Sequence, residues 1–179
     1  REQLTQDKQS LERASFSIQS LVQEKESAGK MLKEIEQTEN TDQIYNIYQR
    51  IPVLVDAMLK SGAKIQNITR LISSIADAIT IRVIELAIEE VGPAPCRFAF
   101  IAMGSEGRME QTLATDQDNA IVIDDEPGQL SKEDQAYFLN LGKKINQDLN
   151  AVGYKLCPGE IMAGNPAWNQ DLKTWKSYF

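Results

Sequence analysis

Apolar residues recur at helical spacing through the first half of the chain. Leu4, Leu11, Ala14, Ile18, Leu21 and Val22 stand among charged residues and predict an amphipathic helix over residues 1–38. Gly29 is expected to break or bend it. Asn40-Thr41-Asp42 reads as the start of a second helix, with Ile44, Ile47, Ile51, Leu54, Val55 and Met58 on one face. Pro52 falls inside that pattern and should kink or interrupt it, because proline offers no N–H to the helix ladder. Gly62 is the expected stop. Ile65, Ile68, Leu71, Ile72, Ile75, Ile79, Val83 and Leu86 then mark a longer helix to Val91, ended by Gly92-Pro93-Ala94-Pro95.

Beyond Pro95 the pattern changes. Residues 97–103 and 119–123 are short apolar runs of strand length, and residues 105–113 read as a turn and short helix. Asp124-Asp125-Glu126-Pro127-Gly128 is an acidic loop. Ser131 caps a further helix with Asp134 as capping-box partner, and Phe138, Leu141, Ile145 and Leu149 form its inner face. Residues 154–162 read as extended, Asn165-Pro166 as a turn and residues 168–178 as helical. The expected fold is α/β (α+β): a small mixed sheet with helices on one face. A helical N-terminal region (1–92) precedes this core (96–179). Neither an internal repeat nor a low-complexity tract is visible.

The densest chemistry lies at Gly104-Ser105-Glu106-Gly107-Arg108, followed by Asp116-Gln117-Asp118. In an extended strand, residues i and i+2 share a face. Asp116 and Asp118 would then sit roughly 7 Å apart along the chain. At an effective dielectric near 20, two such charges repel by about 2 kcal/mol. A divalent cation removes that cost, and Mg²⁺ binds through one or two carboxylates plus substrate phosphates. Gly104 and Gly107 allow close backbone approach, and N–H groups at a turn into a helix attract phosphate. Ser105 can offer its N–H and hydroxyl, and Arg108 a bidentate phosphate contact. The bland alternatives are a surface turn for the aspartates and an exposed ion pair for Arg108 and Glu110.

This arrangement resembles the nucleotidyltransferase superfamily typified by DNA polymerase beta, in which a Gly-Ser or Gly-Gly turn precedes Asp-x-Asp or Asp-x-Glu. Here Ser105 and Asp116 are 11 positions apart. The chain more closely resembles the nucleotidyltransferase domains of bacterial signalling proteins, relatives of the PII-protein uridylyltransferase. Gly104, Ser105, Gly107, Arg108 and Glu110 match that group's turn, and Thr115 to Asn119 its acidic segment. Cys157-Pro158-Gly159, Met162-Ala163 and Asn165-Pro166 with Trp168 match a later segment. Gln117 departs from the wider superfamily, where that position is often apolar. The resemblance implies nucleotidyltransferase topology and Mg²⁺ or Mn²⁺ held by Asp116 and Asp118. It implies nucleotide contacts from Gly104, Ser105, Gly107 and Arg108. It also implies a third carboxylate on a neighbouring strand, for which Glu160 is the best-placed candidate, with a solvent-facing strand residue as its plain alternative. A protein hydroxyl as acceptor, CBS or cyclic-nucleotide-binding domains in a longer chain and a further helical domain after Phe179 are expected by the same analogy.

Composition narrows these expectations. The 179 residues carry 19 Lys and Arg against 26 Asp and Glu, a net charge of −7, so no basic excess exists to neutralise a nucleic-acid backbone. Histidine is absent, which removes His-based triads, His-ligated zinc and histidine-dependent phosphohydrolase chemistry. Cys96 and Cys157 are too few for a disulfide framework and read as small apolar residues in a reduced, cytoplasmic setting. No apolar run reaches membrane-spanning length, and no signal peptide is visible. The chain starts at Arg1, which suggests a piece of a longer protein. Two readings other than catalysis stay open: a nucleotide-binding sensor without turnover, and a signalling or homodimerising role for the helical residues 1–91.

Overall fold

The structure, a computed structural model, describes residues 22–23, 25–124 and 130–179. The expectations for Leu4, Leu11, Ala14, Ile18 and Leu21, and those for Asp125, Glu126, Pro127 and Gly128, lie outside the described residues.

The first helix of the description, α1, covers 25–36. It runs through Gly29, contrary to the expected break; a Cβ there would meet nothing within 4 Å, so glycine is not required by packing. α2 is Thr41–Tyr48, and the Asn40 side chain accepts the Gln43 N–H. One backbone turn later α3 spans Ile51–Lys60 with Pro52 in its first turn, where a missing N–H costs nothing. Pro52 thus separates two helices, and Gly62, at φ 83, lies in the turn that follows α3. α4 is Ile65–Val91, ended by Gly92 at φ 105. Of its stripe, Ile68, Ile72, Ile75, Ile79 and Val83 are buried, Leu71 is half-buried and Ile65 is exposed.

β1 (Phe98–Ala102) pairs antiparallel with β2 (Asn119–Ile123), Phe98 opposite Ile123 and Ala102 opposite Asn119. Between them α5 (Gly104–Gly107) is a single turn, shorter than the expected helix. α6 (Lys132–Val152) begins with the reciprocal Ser131–Asp134 capping box. It is the crossover to β3 (Asn169–Asp171), which lies parallel to β2. A parallel pair needs such a connection. A 3₁₀ turn, Pro166–Trp168, leads into β3, and α7 (Leu172–Ser177) follows it, capped by the Asp171 side chain. The expected continuous helix over 168–178 is therefore split by a strand. The polar triplet Asn-Gln-Asp carries no apolar alternation, so it gives no strand signal.

The apolar side chains form one cluster across the Gly92–Pro95 boundary. It joins Ile35, Ile44 and Ile47 to Ile75, Ile79 and Val83 and to Ile121, Ile123, Phe138, Leu141 and Ile145. Polar ties reinforce it: Tyr137 Oη donates to Gly92 O at 2.6 Å, and Arg82 Nε to Thr38 O at 2.7 Å. Among the described residues, no helix is long and apolar enough to cross a membrane.

Candidate functional site

The site is assembled where β1 ends and β2 begins. Gly104 turns the chain at φ 58, a left-handed value that glycine adopts without steric cost. A Cβ on Gly104 would fall 2.3 Å from Asp118 Oδ2. The bare backbone of the turn is therefore what lets the Asp118 carboxylate lie against it. Gly107 is required by a second close approach, since its Cβ would stand 2.7 Å from Ala102 O. No side chain caps α5, and the first N–H groups of a helix have no acceptor within it. Ser105 Oγ lies 3.4 Å from Thr115 Oγ1 and so links the turn to the acidic segment.

The acidic segment is extended. Met103 N donates to Asp118 O at 2.8 Å, Gln117 N to Lys155 O at 2.8 Å and Asn119 N to Ile161 O at 3.0 Å. Gln117 is buried, while Asp116 is exposed and Asp118 half-buried. The alternation places Asp116 and Asp118 on the face opposite Gln117. Gln117 explains its own presence at a position expected to be apolar. Its Nε2 donates to Asn146 O (3.0 Å) and Tyr154 O (2.9 Å), and its Oε1 accepts from Asn146 Nδ2 at 2.8 Å.

That contact belongs to a buried amide network. Asn146 Nδ2 also donates to Asn119 Oδ1 (2.9 Å), which in turn accepts the Ala163 N–H at 2.8 Å. Asn146 Oδ1 accepts Gly164 N–H at 2.7 Å. Asn169 Nδ2 donates to Phe138 O and to Ala163 O, each at 2.8 Å. Gly142 lets the loop sit directly on α6, since a Cβ there would be 2.2 Å from Ala163 O. The network locks the two strands, α6 and the Met162–Asn165 loop into one register, and buried amides satisfied on all sides hold geometry well.

Electrostatics single out a residue that sequence reasoning passed over. Burial, then the charges of Asp77 on α4 and of Asp118, push the Glu106 carboxyl up to about 7. Glu106 sits in the middle of the glycine turn, so its place in the motif was visible, but its proximity to α4 was not. Neither carboxylate of the pair takes a hydrogen bond or ion pair among the described residues, although both backbone carbonyls accept one. The site is thus rich in uncompensated negative charge.

Other expected residues fall differently. Arg108 and Glu110 form an exposed ion pair with Nε to Oε2 at 3.0 Å. Glu160 lies not on a strand but on a turn, with φ 54, its N–H donating to Cys157 O. The anticipated extended segment 154–162 is reduced to one bridge, Lys155 with Asp116, because the chain reverses at Pro158-Gly159. Among the described residues no three of His, Cys, Asp and Glu converge as a metal set, so Glu160 does not join the two aspartates. Cys157 is buried. Trp168 packs on Trp175 with ring centres 6.0 Å apart. Asp124, at the end of the sheet, pairs with Arg97 at 2.6 Å.

A family model described as "Putative nucleotidyltransferase DUF294" matches residues 49–179, well over half of the chain. The chain belongs to this family. No curated protein and no solved structure matches it. The nucleotidyltransferase match runs from α2's end to Phe179 and so includes α3, α4 and the whole sheet. Its span crosses the Gly92–Pro95 boundary, in keeping with the continuous core.

Proposed function

We propose that this nucleotidyltransferase-family chain moves a nucleoside monophosphate from a nucleoside triphosphate to an acceptor hydroxyl, in a divalent-cation-dependent reaction. The observation that carries the reading is the Asp118 carboxylate lying against the bare backbone of Gly104. A cation-binding acid and a phosphate-binding turn then share one wall. The donor set fits Mg²⁺ or Mn²⁺: two unpaired carboxylates, with the remaining positions filled by phosphate oxygens and water. When bound, such a cation supplies charge neutralisation at the α-phosphate and at the oxygens that attack and leave.

In this reading Asp116 and Asp118 bind the metal from one strand face. The N–H groups of the Gly104–Gly107 turn and the Ser105 hydroxyl hold the β- and γ-phosphates, and Arg108 swings from Glu110 to add a bidentate contact. The acceptor oxygen forms a bond to the α-phosphorus and gives up its proton to water or a carboxylate, while the bond to the bridging oxygen breaks and pyrophosphate departs. An acceptor on a protein, in a signalling setting with regulatory domains elsewhere in a longer chain, is the partner suggested by the resemblance to the uridylyltransferase relatives. Incubation of the protein and a cell extract with labelled nucleoside triphosphates and Mg²⁺, read by mass spectrometry, tests this. A covalently added nucleotide on any target supports it; pyrophosphate release with no acceptor modified, or none at all, counts against it.

One observation favours a second reading. No third acidic ligand joins Asp116 and Asp118 among the described residues. A sensor that binds nucleotide with metal and does not turn it over needs only the pair. Binding without pyrophosphate release under every acceptor condition distinguishes it.

A further inference from the structure

A cavity of about 500 Å³ opens beside Asp116, lined by none of the Gly104–Gly107 turn's own residues. It lies within the range of about 300–1,000 Å³ in which small-molecule sites fall. Its walls are mixed. Leu113 and Leu156 are large apolar side chains left exposed on it, Thr115 and Lys155 supply a hydroxyl and an ammonium, and Tyr48 adds an aromatic ring. Tyr48 comes from the last residue of α2, one position before the segment matched by the family.

The Tyr48 wall is built in. Its Oη donates to Gly153 O at 3.3 Å, and its ring meets Tyr154 edge-on with centres 5.0 Å apart. Gly153 sits at φ 131, and a Cβ there would lie 2.4 Å from Tyr48 Cε1. Only glycine lets the ring close down on this turn. The phenol therefore stands in place before any ligand arrives.

We infer that this cavity holds the nucleoside half of the triphosphate, with Tyr48, Leu113 and Leu156 against the base and Lys155 and Thr115 donating to base or ribose oxygens. The inference rests on the reading of Asp116 and Asp118 given above and extends it to a part of the substrate that reading left unplaced. The turn at Gly104 and Asp118 takes the phosphate tail. Asp116 alone of the acidic pair lines the cavity, so the α-phosphate lies between the two and the nucleoside runs on past Asp116. A partly apolar, half-open recess with few donors suits a flat heterocycle and its sugar. An acceptor hydroxyl on a protein approaches from open surface and needs no such apolar recess. The helical N-terminal region thereby becomes part of the substrate site.

The test compares Mg²⁺-dependent binding of the four ribonucleoside triphosphates with that of inorganic tripolyphosphate, by calorimetry on the whole chain. Ala114→Trp, at an exposed lining position, fills the cavity without touching the turn. Expected is a roughly tenfold to hundredfold loss for the preferred nucleoside triphosphate, the loss of one stacked base, with tripolyphosphate binding unchanged. Equal nucleoside triphosphate binding by the variant and the unaltered chain overturns the inference and leaves the phosphate site standing. Failure of the unaltered chain to bind either ligand overturns both. A second measurement needs no variant: amine-reactive labelling of Lys155 should be blocked by the nucleoside triphosphate and not by tripolyphosphate. Equal labelling in the two cases contradicts the assignment.

Discussion

Gly104 shows how much one missing methyl can decide. At φ 58 an L-residue other than glycine costs roughly 1–2 kcal/mol, and the added Cβ would also overlap Asp118 Oδ2. Gly104→Ala should lower the melting temperature modestly and abolish metal-dependent nucleotide binding, because the carboxylate must leave the turn. Calorimetry on the same sample reads both. Glu106 gives a pH signature. Its carboxyl is raised from an ordinary 4.5 to about 7 by burial, Asp77 and Asp118. Between those values the native state keeps a proton that the unfolded chain has released. Stability contributed by this group is complete below pH 4.5 and is lost as pH rises towards 7 and just beyond. At about 1.4 kcal/mol per unit the ceiling is about 3 kcal/mol, less in practice because the carboxyl is only half-buried. Glu106→Gln should flatten the denaturation-midpoint profile between pH 4.5 and 7.5. A slope unchanged in that variant assigns the proton elsewhere.

At the scale of elements, the network around Asn146 fixes what the strand carrying Asp116 and Asp118 presents. Gly142→Ala drives a Cβ into the Ala163 carbonyl and cannot be relieved by rotating a side chain. We expect a loss on the order of 1–3 kcal/mol, the usual range for overpacking, measured by urea denaturation. Which elements were legible beforehand follows from the same physics. α4 was readable because eight apolar residues repeat at helical spacing, and α6 because Ser131 and Asp134 announce its start. The turn and Asp-x-Asp were readable because local spacing alone brings Asp116 and Asp118 to one face. β3 was not, since Asn169, Gln170 and Asp171 earn their strand by pairing with β2 and by the Asn169 amide, not by their own preferences. Glu160 was misplaced because a turn at Pro158-Gly159 outweighs the β-propensity around it. Glu106 was missed because its partner Asp77 is distant in sequence.

For the whole molecule, the helices before residue 49 are part of the core and not an appendage. Ile35 and Ile44 are fully buried, and Met31 and Ile47 nearly so. Each such side chain contributes about 1.5–3 kcal/mol on burial, so together they rival the typical 5–15 kcal/mol stability of a domain. The segment 49–179 alone should therefore show no cooperative thermal transition, or one far below that of the full chain. Equal melting of the two would detach α1 and α2 from the fold and remove Tyr48 from its place beside the site. The net charge of −7 bears on the same scale. Charge of this sign attracts cations and opposes the approach of a nucleic-acid backbone.

Titration of the full chain with nucleoside triphosphate, with and without Mg²⁺, before and after Asp118→Ala, bears most directly on the shared wall of acid and turn. Binding should require the cation and fall by at least about tenfold in the variant, a loss of about 1.4 kcal/mol or more. Cation-independent binding of undiminished affinity in Asp118→Ala would show that the phosphate tail lies somewhere else.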